Sequence, residues 1–335
     1  MDSRERFLAC MRFDLADRAP NWEMGYWAAT LARWYEEGLC RPLNDRADLL
    51  PGDGVKGEGF PWRRSEPRDL AVHAALEFDE GIEQIDGEWG PWPPFEPKVL
   101  NEDAHTITRL QPDGTVQRTL LDGASVPQVI SWPVSDRESW ERLKVERFRI
   151  DPTGRLPADW PAQRAAYARR TWPLAIGGPF LGVFSALRTL LGFQRMMYAF
   201  YDEPALVDDI LAHLTMLWLA LFEEVLDQTT VDLAYFWEDM SYKGGAMISP
   251  RIFRRFLLPV YRSITSLFRS RGIHIILVDT DGWVWDLIPL LLEGGITGLY
   301  PFEVRAGMDV AEVRKAYPRL QMLGGIDKKI GRAHV

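Results

Sequence analysis

Four apolar runs in the C-terminal half of this chain each end in a carboxylate, and a helical pattern separates each run from the next. Val231–Trp237 stops at Glu238-Asp239, Ile273–Val278 at Asp279-Thr280-Asp281, Ile296–Phe302 at Glu303, and Leu320–Ile326 at Asp327. Apolar runs that alternate with helices build a parallel sheet, because the helix is the crossover that brings the chain back to start the next strand. Parallel strands share one face at their C-terminal ends. The acids therefore converge on one mouth, which is where a (β/α)8 barrel keeps its active site. Asp279, Glu303 and Asp327 follow one another at intervals of 24 residues, the size of one strand–helix unit. A single acid after a strand reads as a helix N-cap. Four in succession, two of them with a second acid beside or near them, ask for more than caps.

The bulk numbers narrow the function classes. A length of 335 residues suits one α/β barrel with insertions. A net charge of −9 lacks the basic surface that non-specific nucleic-acid binding needs. The two cysteines, Cys10 and Cys40, make no disulfide framework and fit a reducing compartment. The N-terminus opens a charged amphipathic helix without an apolar signal core, and the apolar stretch near Leu214–Phe222 is too short to span a bilayer. The expectation is a cytoplasmic protein with neither nucleic acid nor membrane as partner.

Strands are expected near residues 21–26, 82–86, 173–178, 230–237, 273–279, 296–302 and 320–326, which makes seven. Residues 98–131 read as an antiparallel β-hairpin insertion around the turn Gln111-Pro112-Asp113-Gly114. Asp202-Glu203-Pro204 reads as an Asp cap with Pro in the first turn of a long helix to Gln228, and Pro259, inside a later helical pattern, predicts a kink or a break. No eighth strand fits after Ile326. The fold expected is thus α/β, a TIM-type (β/α)8 barrel in one domain over 1–329, lacking its eighth strand through C-terminal truncation. The last six residues, Ile330-Gly331-Arg332-Ala333-His334-Val335, match the translation of ATCGGAAGAGCACACGTC, a common sequencing adapter, and are expected to be a non-native tail.

Across nearly its whole length the chain resembles the uroporphyrinogen decarboxylase superfamily. The markers are Asp17-Arg18-Ala19-Pro20-Asn21-Trp22-Glu23-Met24, Gly177-Gly178-Pro179, Asp202-Glu203-Pro204, Glu238-Asp239-Met240 before Ile248-Ser249-Pro250, Gly282 after Asp281, and Gly324-Gly325-Ile326-Asp327. The resemblance implies a barrel that works either as a decarboxylase of the haem pathway or as a methyltransferase using a corrinoid protein or a methyl-thiol acceptor. The decarboxylases follow the Met of the first strand with arginines that fork onto substrate carboxylates; Gly25-Tyr26-Trp27-Ala28-Ala29 has none. The zinc methyltransferases carry His-x-Cys where this chain has Asp279-Thr280-Asp281, and no Cys lies near His274. Divergence of this kind favours the corrinoid-linked methyltransferase branch.

The expected function is methyl transfer from a small methylated substrate, such as a methyl ether or methylamine, to a corrinoid (cobalamin) on a partner protein. The catalytic acids are Glu238, Asp239, Asp279, Asp281 and Glu303, with Asp279 as the inward group and Asp281 as the cap or turn residue. Carboxylates crowded at one mouth push one another's pKa upward, which supplies a proton donor near neutrality. Trp22, Glu23, Met24, Tyr26, Gly178, Trp237, Tyr300 and Asp327 are the expected substrate-binding residues, Asp327 reading equally as an ion-pair or cap residue. No tightly bound cofactor is expected. An all-oxygen Mg²⁺ or Ca²⁺ site from Glu238, Asp279, Asp281 and Glu303 ranks below the metal-free reading. The alternatives are decarboxylation of a tetrapyrrole or other acid, which requires basic residues at the mouth with Arg305 the obvious one, and a non-catalytic barrel that binds a tetrapyrrole or a partner.

Overall fold

The computed structural model describes residues 1–23, 26, 28–40, 72–121, 127–178 and 180–327. Its centre is a six-stranded parallel sheet of β1 (Glu83–Gln84), β6 (Leu174–Ile176), β7 (Leu233–Trp237), β10 (Ile276–Asp279), β11 (Gly298–Tyr300) and β12 (Gln321–Met322), hydrogen-bonded in that order. Each neighbour follows the last in the chain, with helices between, as successive βα units require. The fold is a mixed α/β fold around this sheet. A separate antiparallel sheet is made of β2 (Lys98–Glu102), β3 (Thr106–Leu110), β4 (Val116–Leu120) and β5 (Gln128–Ser131), and a two-stranded one of β8 (Ser241–Tyr242) and β9 (Gly245–Ala246).

Period-two alternation divides the strand residues between two cores. Leu174, Ile176, Ala234, Phe236, Ile276, Val278 and Leu299 point outward into the large cluster under the helices. Ile82, Ala175, Leu233, Tyr235, Ile275, Leu277 and Tyr300 point the other way, where they enclose Phe7 and Met11 of helix α1 (Ser3–Arg12). A sheet that wraps one helix on its inner face is strongly curved. Helix α1 is fixed at the N-terminal end of the strands. Arg4 and Arg170 both bond to the buried carboxylate of Asp232, just before β7, and Gln321 Nε2 donates to the carbonyl of Met11. With that end plugged, the opposite end is the mouth.

Three sequence expectations change here. The strand expected near 21–26 is not one at Asn21–Glu23 or Tyr26, the described residues of that stretch. The chain is held there by single bonds rather than a ladder: Asp79 N donates to Asn21 O, and Trp22 Nε1 donates to Glu80 O. Pro259 does not end its helical stretch, and the α-helical pattern is interrupted just before it. The helix turns wider over Phe253–Leu257, a π segment, and continues as Leu258–Ser270. Such a segment relieves the clash that proline makes with the preceding turn. Asp202 does not cap the long helix Pro204–Leu226; it ends the helix before, and Glu203 is the cap residue. That long helix has the length and composition to cross a membrane, yet half of its most apolar window is buried among its neighbours.

The inner face is closely packed, and Gly298 on β11 shows how closely. A Cβ there would lie 2.4 Å from the carbonyl oxygen of Gln321 and 2.7 Å from Leu277 Cδ2. Backbone on one side cannot retreat without opening the β11–β12 pairing. Gly298→Ala is expected to cost roughly 1–3 kcal/mol, the range of an overpacked core. A urea midpoint equal to that of the wild type would show that this face has slack.

Candidate active site

The mouth is built on one row of side chains. In the parallel register Trp237 of β7 stands opposite Asp279 of β10, which stands opposite Tyr300 of β11. All three follow the inward parity of Leu277 and Tyr235, so the row lies on the inner face of the sheet at the C-terminal end. Asp279 and Tyr300 are both buried. Burial, then the negative charges of Asp279 and Asp239, hold the Tyr300 phenol well above the usual tyrosine range. Tyr300 thus keeps its proton at physiological pH and can donate it in a hydrogen bond, but cannot act as a base.

One layer further in, Tyr235 donates to Gln84 Oε1 at 2.9 Å, and Gln84 Nε2 donates to the carbonyl of Gly177 at 2.6 Å. Gly178 follows, and a Cβ there would meet Gln84 Nε2 at 2.7 Å and Trp89 at 3.2 Å. Here the glycine is required by close approach. Gln84 was not among the residues singled out from the sequence, although it lies two places beyond the inward-facing Ile82. Arg188 was also missed, because it comes from a helix and not a strand. It belongs to the last turn of the helix Val183–Leu191. Its Nη1 donates to the carbonyl of Asp239 at 3.1 Å, and its guanidinium lies 5.6 Å from the centre of the Trp237 ring.

The expected acids separate. Asp239 is half-buried at the mouth in a left-handed conformation, φ 47°, with its carboxylate 3.7 Å from Arg188 Nη2. Asp281 is exposed, beyond the end of β10. Glu303 is half-buried and accepts from the backbone N–H of Gly282. Glu238 is not at the mouth. It sits one position past Trp237, and alternation turns it outward beneath the helices, where it is fully buried. Its carboxylate accepts from the backbone N–H groups of Val183, Phe184 and Ser185 at 2.7, 2.8 and 3.1 Å and from the hydroxyl of Tyr261. It caps a helix from a neighbouring strand, with the anion at the positive end of the helix dipole. The oxygen set Glu238, Asp279, Asp281 and Glu303 is therefore not assembled around one point. Among the described residues no group of three His, Cys, Asp or Glu is placed to hold a metal ion.

The expected substrate-binding residues divide in the same way. Trp237, Tyr300 and Gly178 are at the mouth. Trp22 is not, since its ring packs 5.5 Å from Phe7 of helix α1, in the inner core. Glu23 is exposed. Tyr26 is buried in a small separate cluster with Leu31 and Val72. Asp327 accepts from Arg305 Nε at 3.0 Å, an exposed ion pair. Met24 lies outside the described residues. The strand-end residues came together because one periodicity controls them all. Trp22, Glu23 and Tyr26 did not, because no strand carries these three.

No family model and no curated protein matches the chain. Among solved structures, a methyltransferase from Methanosarcina mazei aligns over 97% of this chain and 83% of its own length, with a TM-score of 0.55 at 15% identity. The chain has the mixed α/β fold of that methyltransferase.

Proposed function

We propose that this chain is a methyltransferase whose reaction takes place at the row Trp237–Asp279–Tyr300. The observation that carries the reading is that row: a buried carboxyl between an indole and a phenol that keeps its proton, on the inner face at the strands' C-terminal ends. A methyl group bound to oxygen or nitrogen leaves to a nucleophilic acceptor, and the bonding electron pair stays on the heteroatom. That atom then needs a proton or a strong hydrogen bond, which Tyr300, and Asp279 when its carboxyl carries a proton, are placed to give. Trp237 supplies a flat apolar wall. The acceptor we propose is a corrinoid carried by a partner protein in the cytoplasm, on the strength of the family resemblance and of the fold shared with a methyltransferase. The barrel reading, with closure of the sheet, rests on the same two supports.

The test is incubation of the full chain with methyl ethers and methylamines, a reduced corrinoid protein and no other enzyme. The expected result is a shift of the cobalt spectrum to the methylated form with one class of donor. No shift with any donor would sink the reading. One observation favours a second reading. Arg188 puts a cation at the mouth, which decarboxylation of an organic acid requires. Release of CO₂ from such an acid without any methylated product would favour that reading instead.

A further inference from the structure

We propose that Arg188 is the specificity-determining residue of this mouth and that it receives a carboxylate carried by the substrate, so that the ligand is a compact ring-bearing organic anion. The inference rests on the reading that the C-terminal mouth is the substrate site. The guanidinium presents five N–H donors in a fixed fork that matches a carboxylate. One of them reaches the Asp239 carbonyl. The Asp239 carboxylate stands at 3.7 Å from Nη2, close enough to attract but too far for a hydrogen bond. No other hydrogen bond or ion pair joins this guanidinium to a described residue. Its side chain is 25% exposed, so the unspent donors are reachable.

Arg188 is also held in place before any ligand arrives. The helix that bears it is anchored at its first turn by Glu238. The Trp237 ring supports the guanidinium, as aromatic rings do for arginine. A purely structural stitch to the Asp239 carbonyl would need one donor and no fork. The row beneath sets the length of the ligand. Neighbouring strands lie about 4.8 Å apart, so Trp237 and Tyr300, two strands apart, are separated by roughly 10 Å. One six-membered ring laid along the row, its carboxylate on Arg188 and a methylated heteroatom at the opposite ring position, brings that heteroatom toward Tyr300 and Asp279. Asp239 competes with the incoming anion, so the preference is moderate: about tenfold over a neutral isostere.

The test is calorimetric titration of the full chain with 4-methoxybenzoate and with neutral 4-methoxybenzamide, in the wild type, Arg188→Gln and Arg188→Lys. The wild type is expected to bind the anion about tenfold more tightly than the amide. Arg188→Gln is expected to lose that preference while binding the amide unchanged, and Arg188→Lys to keep part of it. Equal affinity for both probes in the wild type, a preference that survives in Arg188→Gln, or no binding of 4-methoxybenzoate by the wild type overturns the proposal. Thermal melts accompany each titration; if Arg188→Gln unfolds, the Lys variant carries the test, and an undiminished preference there overturns it. Binding is read without any acceptor. A protein that holds the anion through Arg188 yet transfers no methyl group removes the methyl-transfer reading and leaves this one standing.

Discussion

Replacing Glu238 by alanine is expected to destabilise the protein by about 4 kcal/mol, read at pH 8 as a lower urea midpoint with an unchanged slope. The buried carboxylate satisfies three backbone N–H groups and the Tyr261 hydroxyl. Each buried donor left without a partner costs roughly 1–3 kcal/mol, and the losses are not additive because the first turn of the helix can relax. A cavity adds to this. Glu238→Gln keeps the shape and one acceptor oxygen and is expected to lose less than half as much. A midpoint within error of the wild type for the alanine variant would mean that Val183–Leu191 does not depend on this cap.

The same residue gives stability a pH dependence. Burial raises the Glu238 carboxyl from 4.5 to about 7, against four hydrogen bonds that pull it down. Between those two values the unfolded chain has released the proton and the folded chain still holds it. Stability therefore falls as pH rises from about 4.5 to 7 and is level above that, a loss of roughly 3 kcal/mol at about 1.4 kcal/mol per unit. Asp79 and Asp232 act in a different window. Hydrogen bonds and charge from arginines hold both below 3.8, against the cost of burial, so their contribution is lost only as the solution becomes more acid. Glu238→Gln is expected to abolish the slope between pH 4.5 and 7 and to leave the acid limb intact.

Glu238 also shows where reading the sequence stops. The alternation of apolar runs and helices, and the acids that end the runs, are visible as spacing, and the parallel sheet and its C-terminal mouth follow from them. The direction in which a strand-end acid points depends on where the strand stops. Trp237 and Glu238 are neighbours in the chain, yet one lies on the inner face of the sheet and the other caps a helix on the outer face. Asp279 and Asp281 would share a face in a continuing strand, but β10 ends at Asp279 and Asp281 turns to solvent. Arg188 could not be found by strand periodicity, because a helix and not a strand carries it. Trp22 and Tyr26 carried the weight of an expected strand that these residues do not form, and their rings went to other cores.

Asp279→Asn is expected to lower kcat for methyl transfer by about 10²–10³-fold while changing KM by less than a few-fold. Loss of a positioned proton donor costs about 10²–10⁴-fold in rate. The substitution preserves shape, so ground-state binding along the row persists and the effect falls on the transition state. Tyr300→Phe removes one hydrogen-bond donor and is expected to cost about 10²-fold, in the range found for single oxyanion donors. Asp279 and Tyr300 face each other across one register position. If they serve one leaving atom together, the double variant will be little worse than Asp279→Asn alone, because residues acting as a unit are not additive. The Tyr300 phenol titrates well above its ordinary range, so the wild-type rate should show no alkaline limb from this group below about pH 10. Single-turnover rates across a pH series, with urea midpoints as a control for folding, would check all four expectations at once. A rate for Asp279→Asn within twofold of the wild type would move the chemistry away from this row.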